Sequence, residues 1–181
     1  MKVLGIVGSL RQRSYNLMAL RAAQRLTPPG MKITIADLSE IPLFNQDDRT
    51  HGDDPSAVEL LKSQVREADA VLFACPEYNY SIPGVLKNSL DWLSLPPDAP
   101  FDGKPVAIMG ASAGSLGTSR AQYHLRQVLL FMNTFTVNKP EVFIGSAHAK
   151  FDEAGELIDA PTEEFIAGLL LSLQALAKRL G

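Results

Sequence analysis

Apolar positions along this chain follow two alternating rhythms. Short β-branched runs near 2–8, 31–36, 69–75, 104–111 and 135–144 predict strands, and longer amphipathic stretches near 14–27, 55–67, 82–94, 117–132 and 161–179 predict helices. In the first helical stretch Leu17, Leu20, Ala23 and Leu26 recur at helical spacing. The run Ala70 to Cys75 is apolar on both faces, as a central parallel strand requires. Thr27-Pro28-Pro29-Gly30 stops the first helix, and Ser81 is the expected N-cap of the third, with Pro83 in its first turn. That third helix places Leu86, Leu90 and Leu93 on one face and Trp92 elsewhere. Lys139-Pro140 interrupts the last strand region, and residues 151–155 read as a turn.

Strict alternation of strand and helix predicts an α/β three-layer sandwich, a parallel sheet with helices on both faces. The connector Pro96-Pro97-Asp98-Ala99-Pro100 is too short to divide it, so residues 1–181 form one domain. Ligands of such sheets sit at the carboxyl ends of the strands, where strand order reverses. Three segments leave presumed central strands there: 8–16, 76–84 and 110–117.

The first, Gly8-Ser9-Leu10-Arg11-Gln12-Arg13-Ser14-Tyr15-Asn16, runs from a strand into a helix start, an arrangement that holds a phosphate. Free amides and the helix dipole attract an anion, Arg11 adds a charged donor fork, and Ser9, Ser14 and Asn16 add neutral donors. Dinucleotide and triphosphate glycine patterns are missing, which leaves a single phosphomonoester. The second, Pro76 to Gly84, is stiffened by two prolines and offers Tyr78 and Tyr80 as flat surface, with Asn79 for a heteroatom edge. A rigid turn whose tyrosines merely pack fits it equally well. The third, Gly110 to Gly117, is glycine-rich and opens a helix, so its amides can approach an anionic ring edge; a second phosphate site or a plain turn are the rivals.

Composition narrows the partners. With 181 residues, a net charge of -3 and no apolar run of membrane-spanning length, the chain gives no reason to expect nucleic acid or a membrane. No signal peptide is apparent and Cys75 is the single cysteine, so a cytoplasmic location is the default expectation. Cys75 reads as a small core hydrophobe, since the spacing of a phosphatase loop fails at Ser81-Ile82. His51, His124 and His148 lack metal-ligand spacing, and no metal is expected. Asp47, Asp48, Asp53 and Asp54 mark a long acidic loop read as a solvated excursion.

The three motifs, in this order, resemble the NADPH-dependent FMN reductases of flavodoxin-like fold, a family that includes quinone, chromate and azo-dye reductases. The resemblance rests on Gly-Ser-Leu-Arg-x-x-Ser-Tyr-Asn at 8–16, the segment Pro76 to Trp92, and the glycine-rich loop leading into Ser119-Arg120-Ala121-Gln122. It implies a five-stranded sheet of order 2-1-3-4-5, an FMN cofactor, and NADPH or NADH as reductant. It further implies that Ser9, Arg11, Ser14 and Asn16 hold the FMN phosphate, with Tyr15 also at the cofactor, and that Pro76, Glu77, Tyr78 and Asn79 border the ring with Ser112 and Gly114 nearby. No side chain is expected as an obligatory acid or base, because the cofactor carries the hydride chemistry. Two electrons are then expected to pass by a ping-pong sequence from NAD(P)H to small acceptors: quinones, with chromate or azo dyes as further candidates. A flavodoxin-type single-electron carrier and a flavin-binding redox sensor are the alternatives. Family members are commonly oligomeric, so a homodimer or homotetramer is expected, with Arg120, Tyr123 and Glu141 at its contacts.

Overall fold

The computed structural model describes residues 1–50 and 53–181, so His51 lies outside the described residues. The strands are β1 (Lys2–Val7), β2 (Lys32–Ile35), β3 (Ala70–Ala74), β4 (Pro105–Ala111), β5 (Phe135–Thr136) and β6 (Val142–Ile144). The helices are α1 (Tyr15–Arg25), α2 (Ser56–Glu67), α3 (Gly84–Leu93), α4 (Ser119–Phe131) and α5 (Ala160–Leu180). All strand pairs are parallel, in the flavodoxin-like order β2-β1-β3-β4-β5, with β6 also on β4.

The period of two along each strand sorts the core into two layers. Val3, Val7, Leu72 and Met109 face α1 and α5, packing with Leu20, Leu169 and Leu170. Leu4, Ile6, Phe73 and Ile108 face the other way, against Leu61 of α2, Leu86 and Leu90 of α3, and Leu125 and Leu129 of α4. Trp92 does leave the Leu86–Leu90 face: it is buried in a separate cluster with Val58 and Leu95, where Phe44 meets it edge-on at 5.1 Å. No helix is long and apolar enough to cross a membrane among the described residues.

Three sequence expectations need correction. The single run 135–144 is two short strands laid end to end along β4, β5 opposite Pro105–Val106 and β6 opposite Met109–Ala111. Pro140 has no N–H to give a ladder, so the chain leaves the sheet between them. Ser81 is not the cap of α3; Pro83 holds that position without a side-chain bond. The acidic loop is solvated at Asp47, Asp48 and Asp53 but not at Asp54, whose side chain is 1% exposed and pairs with Lys62 Nζ at 2.5 Å and Arg49 Nε at 2.7 Å. The turn at 151–155 is present, closed by a Phe151–Leu157 bridge.

Candidate functional site

Strand order reverses between β1 and β3, whose last paired residues are Val7 and Ala74. The segments leaving β1, β3 and β4 therefore share one edge of the sheet. Loop 8–16 and loop 76–84 meet directly: Tyr78 donates to Ser9 Oγ at 3.4 Å, and a Cβ on Gly8 would sit 3.0 Å from Pro76.

The first loop closes into a cradle with the donors an anion would need. Ser14 caps α1, its Oγ accepting the Asn16 N–H at 3.2 Å. The amides of Arg13 and Tyr15 meet no acceptor among the described residues, so the positive end of α1 stays open. Arg11 is exposed and its guanidinium has no carboxylate partner among the described residues. Arg13 is turned aside to the Glu153 carbonyl at 3.3 Å. Tyr15 packs its ring against Phe151 at 5.9 Å. Asn16 is buried and its carboxamide binds the backbone of Ala111, so the structure does not bring that side chain into the cradle.

The second loop is a tight hairpin. Tyr78 and Ser81 exchange both backbone hydrogen bonds, which forces the two residues between them, Asn79 (φ 50°) and Tyr80 (φ 70°), into left-handed conformations. Such geometry in a bulky residue marks a segment held by its surroundings. The holders are on α4. Arg120 pairs with Glu77 at 2.6 Å and lies 3.8 Å from the centre of the Tyr80 ring, and His124 Nδ1 meets Ser81 Oγ at 3.2 Å. Tyr78, Asn79 and Tyr80 are thus presented to solvent on a braced turn.

The Glu77 side chain turns to α4. Its Oε2 accepts the Arg120 and Ala121 amides, at 3.1 and 3.2 Å, and Oε1 binds the Arg120 guanidinium. The carboxylate therefore closes the N-terminus of α4, whose own cap residue Thr118 makes no side-chain cap bond. No local pattern signals this pairing across 43 residues of sequence. Of the α4 amides that the glycine-rich loop leaves open by expectation, those of Arg120 and Ala121 are taken.

The third loop is tightly seated. Ser112 N–H binds the Ile144 carbonyl, its own carbonyl receives Ala147 N–H, and Ser112 Oγ accepts from Gly114 N–H at 3.1 Å. Gly145 lies so near that an added Cβ would be 2.2 Å from the Ser115 carbonyl. Ser112 and Gly114 are accessible at this edge.

Cavity size does not pick out the site. A concavity of about 480 Å³ lies at the opposite end of the sheet, lined by Met1, Lys104 and Lys178. A smaller cleft of about 300 Å³ opens between the first loop and the β2 end. There the Ser39 N–H and hydroxyl hold the Asp37 carboxyl below its usual range, in a cleft that Ser9 and Arg11 also line.

Cys75 is fully buried behind this edge, and burial, with the charge of Glu77 adding, pushes its thiol up to about 12. A thiol needs its thiolate to react. Ellman's reagent at pH 8 is expected to leave native protein unlabelled and to titrate one thiol after denaturation; rapid native labelling would contradict the core reading.

Comparison with known proteins places the chain in a family. Residues 1–149 match the family model of NADPH-dependent FMN reductases. The chain is 57% identical over 179 residues to an NAD(P)H-dependent FMN reductase of Pseudomonas aeruginosa, covering 99% of this chain and 96% of that one. It is 41% identical over 181 residues to a quinone reductase of Escherichia coli, covering 99% and 96%. The fold of FerB, a flavoenzyme NAD(P)H:(acceptor) oxidoreductase of Paracoccus denitrificans, superposes with a TM-score of 0.90 at 32% identity, covering 99% and 98%. With the family model matched over residues 1–149 and a relative matched over nearly its whole length, the chain belongs to the NADPH-dependent FMN reductase family.

Proposed function

We propose that this protein is an FMN-dependent NAD(P)H:quinone oxidoreductase that works by alternating half-reactions, with chromate and azo dyes as further acceptors. The observation that carries the reading is the asymmetry of the edge: an open anion cradle at α1, and beside it a braced aromatic and backbone rim whose Glu77 and Arg120 charges are paired with each other. FMN, when bound, supplies the ring that accepts and gives up hydride. Ser9, Arg11, Ser14 and Tyr15 N–H fit its phosphate by the chemistry of their donors. Pro76, Tyr78, Asn79, Ser112 and Gly114 are the residues for the ring's flank. Glu77 is engaged by Arg120, so it orients the rim. With the rim exposed on one side, nicotinamide and acceptor would use the same approach in turn. Relatives named as quinone reductases in Escherichia coli and as an NADPH:quinone oxidoreductase in Arabidopsis thaliana support the acceptor class.

Anaerobic stopped-flow mixing tests this. NADPH alone should bleach the flavin band, a quinone should restore it, and steady-state double-reciprocal lines should be parallel. A flavin that stays oxidised until acceptor is added would overturn the alternating sequence, and one that NADPH never reduces would return the carrier reading.

Arg11→Ala is expected to weaken FMN binding by about 1.5–3 kcal/mol, the range of a charge-assisted hydrogen bond. Riboflavin, which lacks the phosphate, should bind the variant nearly as it binds the parent; equal losses by fluorescence titration would contradict the cradle. We also propose a homo-oligomer. Tyr123, bonded to Glu141 at 3.0 Å, shares the outer side of α4 with the exposed Leu130 and Phe131. A monomer mass at micromolar concentration would exclude it.

A further inference from the structure

We infer that Asn16 is a positioning residue that fastens the glycine-rich loop to the start of α1, making the anion cradle and the ring rim one rigid unit. The point of attachment is the end of β4. The ladder to β3 stops at Met109, paired with Ala74, and Cys75 N–H takes the Met109 carbonyl. Two residues further on, Ala111 turns its N–H and C=O away from β6, toward a place where no strand remains. Both groups are buried, and a buried backbone group without a partner is costly.

Asn16 fills that place. Its Nδ2 donates to the Ala111 carbonyl at 2.9 Å and its Oδ1 accepts the Ala111 N–H at 2.9 Å. One carboxamide thus supplies the donor and acceptor that a neighbouring strand residue would offer. Asparagine suits the position because it carries both on a short stem; aspartate or leucine lacks one or both. The other border of the loop is already fixed, since Ser112 and Gly114 are bonded to Ile144, Ser146 and Ala147. Asn16 is what fixes the α1 side. Its backbone N–H is also the one that the Ser14 cap receives, so a single residue joins the cradle to Ala111 and through it to Ser112.

This inference rests on the FMN reading for its consequence in binding, but not for the lock itself. Asn16→Leu and Asn16→Ala are compared with the parent, the alanine variant serving if the leucine variant does not fold. Hydrogen exchange at Ala111 and Ser112, measured in flavin-free and flavin-loaded protein, should accelerate in both states. FMN and riboflavin should then weaken by the same factor, roughly tenfold, leaving their affinity ratio at the parent value, unlike Arg11→Ala. Unchanged exchange overturns the lock. Loss confined to FMN, with riboflavin unaffected, makes Asn16 a phosphate ligand and overturns the positioning role, as does faster exchange with both affinities unchanged. Should the parent bind neither flavin, the cofactor reading falls, and the exchange in flavin-free protein alone decides the lock.

Discussion

Asp54→Ala is expected to cost about 3–5 kcal/mol of folding stability, the range for breaking a buried ion pair from one side. The carboxylate links three parts of the chain that share no sheet pairing. Arg49 comes from the loop after β2, Lys62 from α2, and the Leu95 and Pro96 carbonyls from the connector after α3. The side chains of Asp54 and Lys62 are 1% and 2% exposed. Without the carboxylate, the Lys62 ammonium keeps a 3.4 Å contact to the Leu95 carbonyl and little water. Exposed pairs are worth only about 0–1 kcal/mol, so a loss that small in urea unfolding would show that water reaches the pair. The double substitution Asp54→Leu with Lys62→Met should recover most of the loss, because it removes both charges together.

Gly110→Ala is the second large effect, expected at about 3 kcal/mol, the upper end for overpacking a core. A Cβ there would stand 1.9 Å from Thr118 Oγ1 and 2.4 Å from the Cys75 carbonyl oxygen. Neither neighbour has room to yield: Thr118 is fully buried and accepts from Gln122, and Cys75 is held in the β3–β4 ladder. For a chain of this length the melting temperature should fall by roughly 6–12 °C. Adding Thr118→Ala should restore only part of it, since the Cys75 carbonyl remains. An unchanged melting temperature would mean that β4 and the start of α4 lie further apart.

What the sequence made legible follows from what a period can carry. The buried parallel strands and the helices between them announce themselves through apolar spacing, and the sheet edge then brings the three loops together by topology. Features that depend on distant partners were not legible. Val137 and Val142 continue an apolar pattern across Pro140, so β5 and β6 read as one strand. Asp54 sits in an acidic stretch, and only the fold brings Lys62 and Arg49 around it. Asn16 and Glu77 each belong to a motif whose neighbours lie at this sheet edge, yet each turns to a backbone group far along the chain, at Ala111 and at Arg120 and Ala121. Local spacing says which residues are near a site; it does not say which of them hold the site together.

Glu77 has a wider effect than bracing a turn. Two helices begin at the same sheet edge, and both would draw anions if left alone. A carboxylate closes one, while the other keeps open amides and Arg11. The edge therefore carries a built-in polarity: a molecule with one anionic end and one flat end has a single way to land. Its two ends are sorted before any contact with the ring is made.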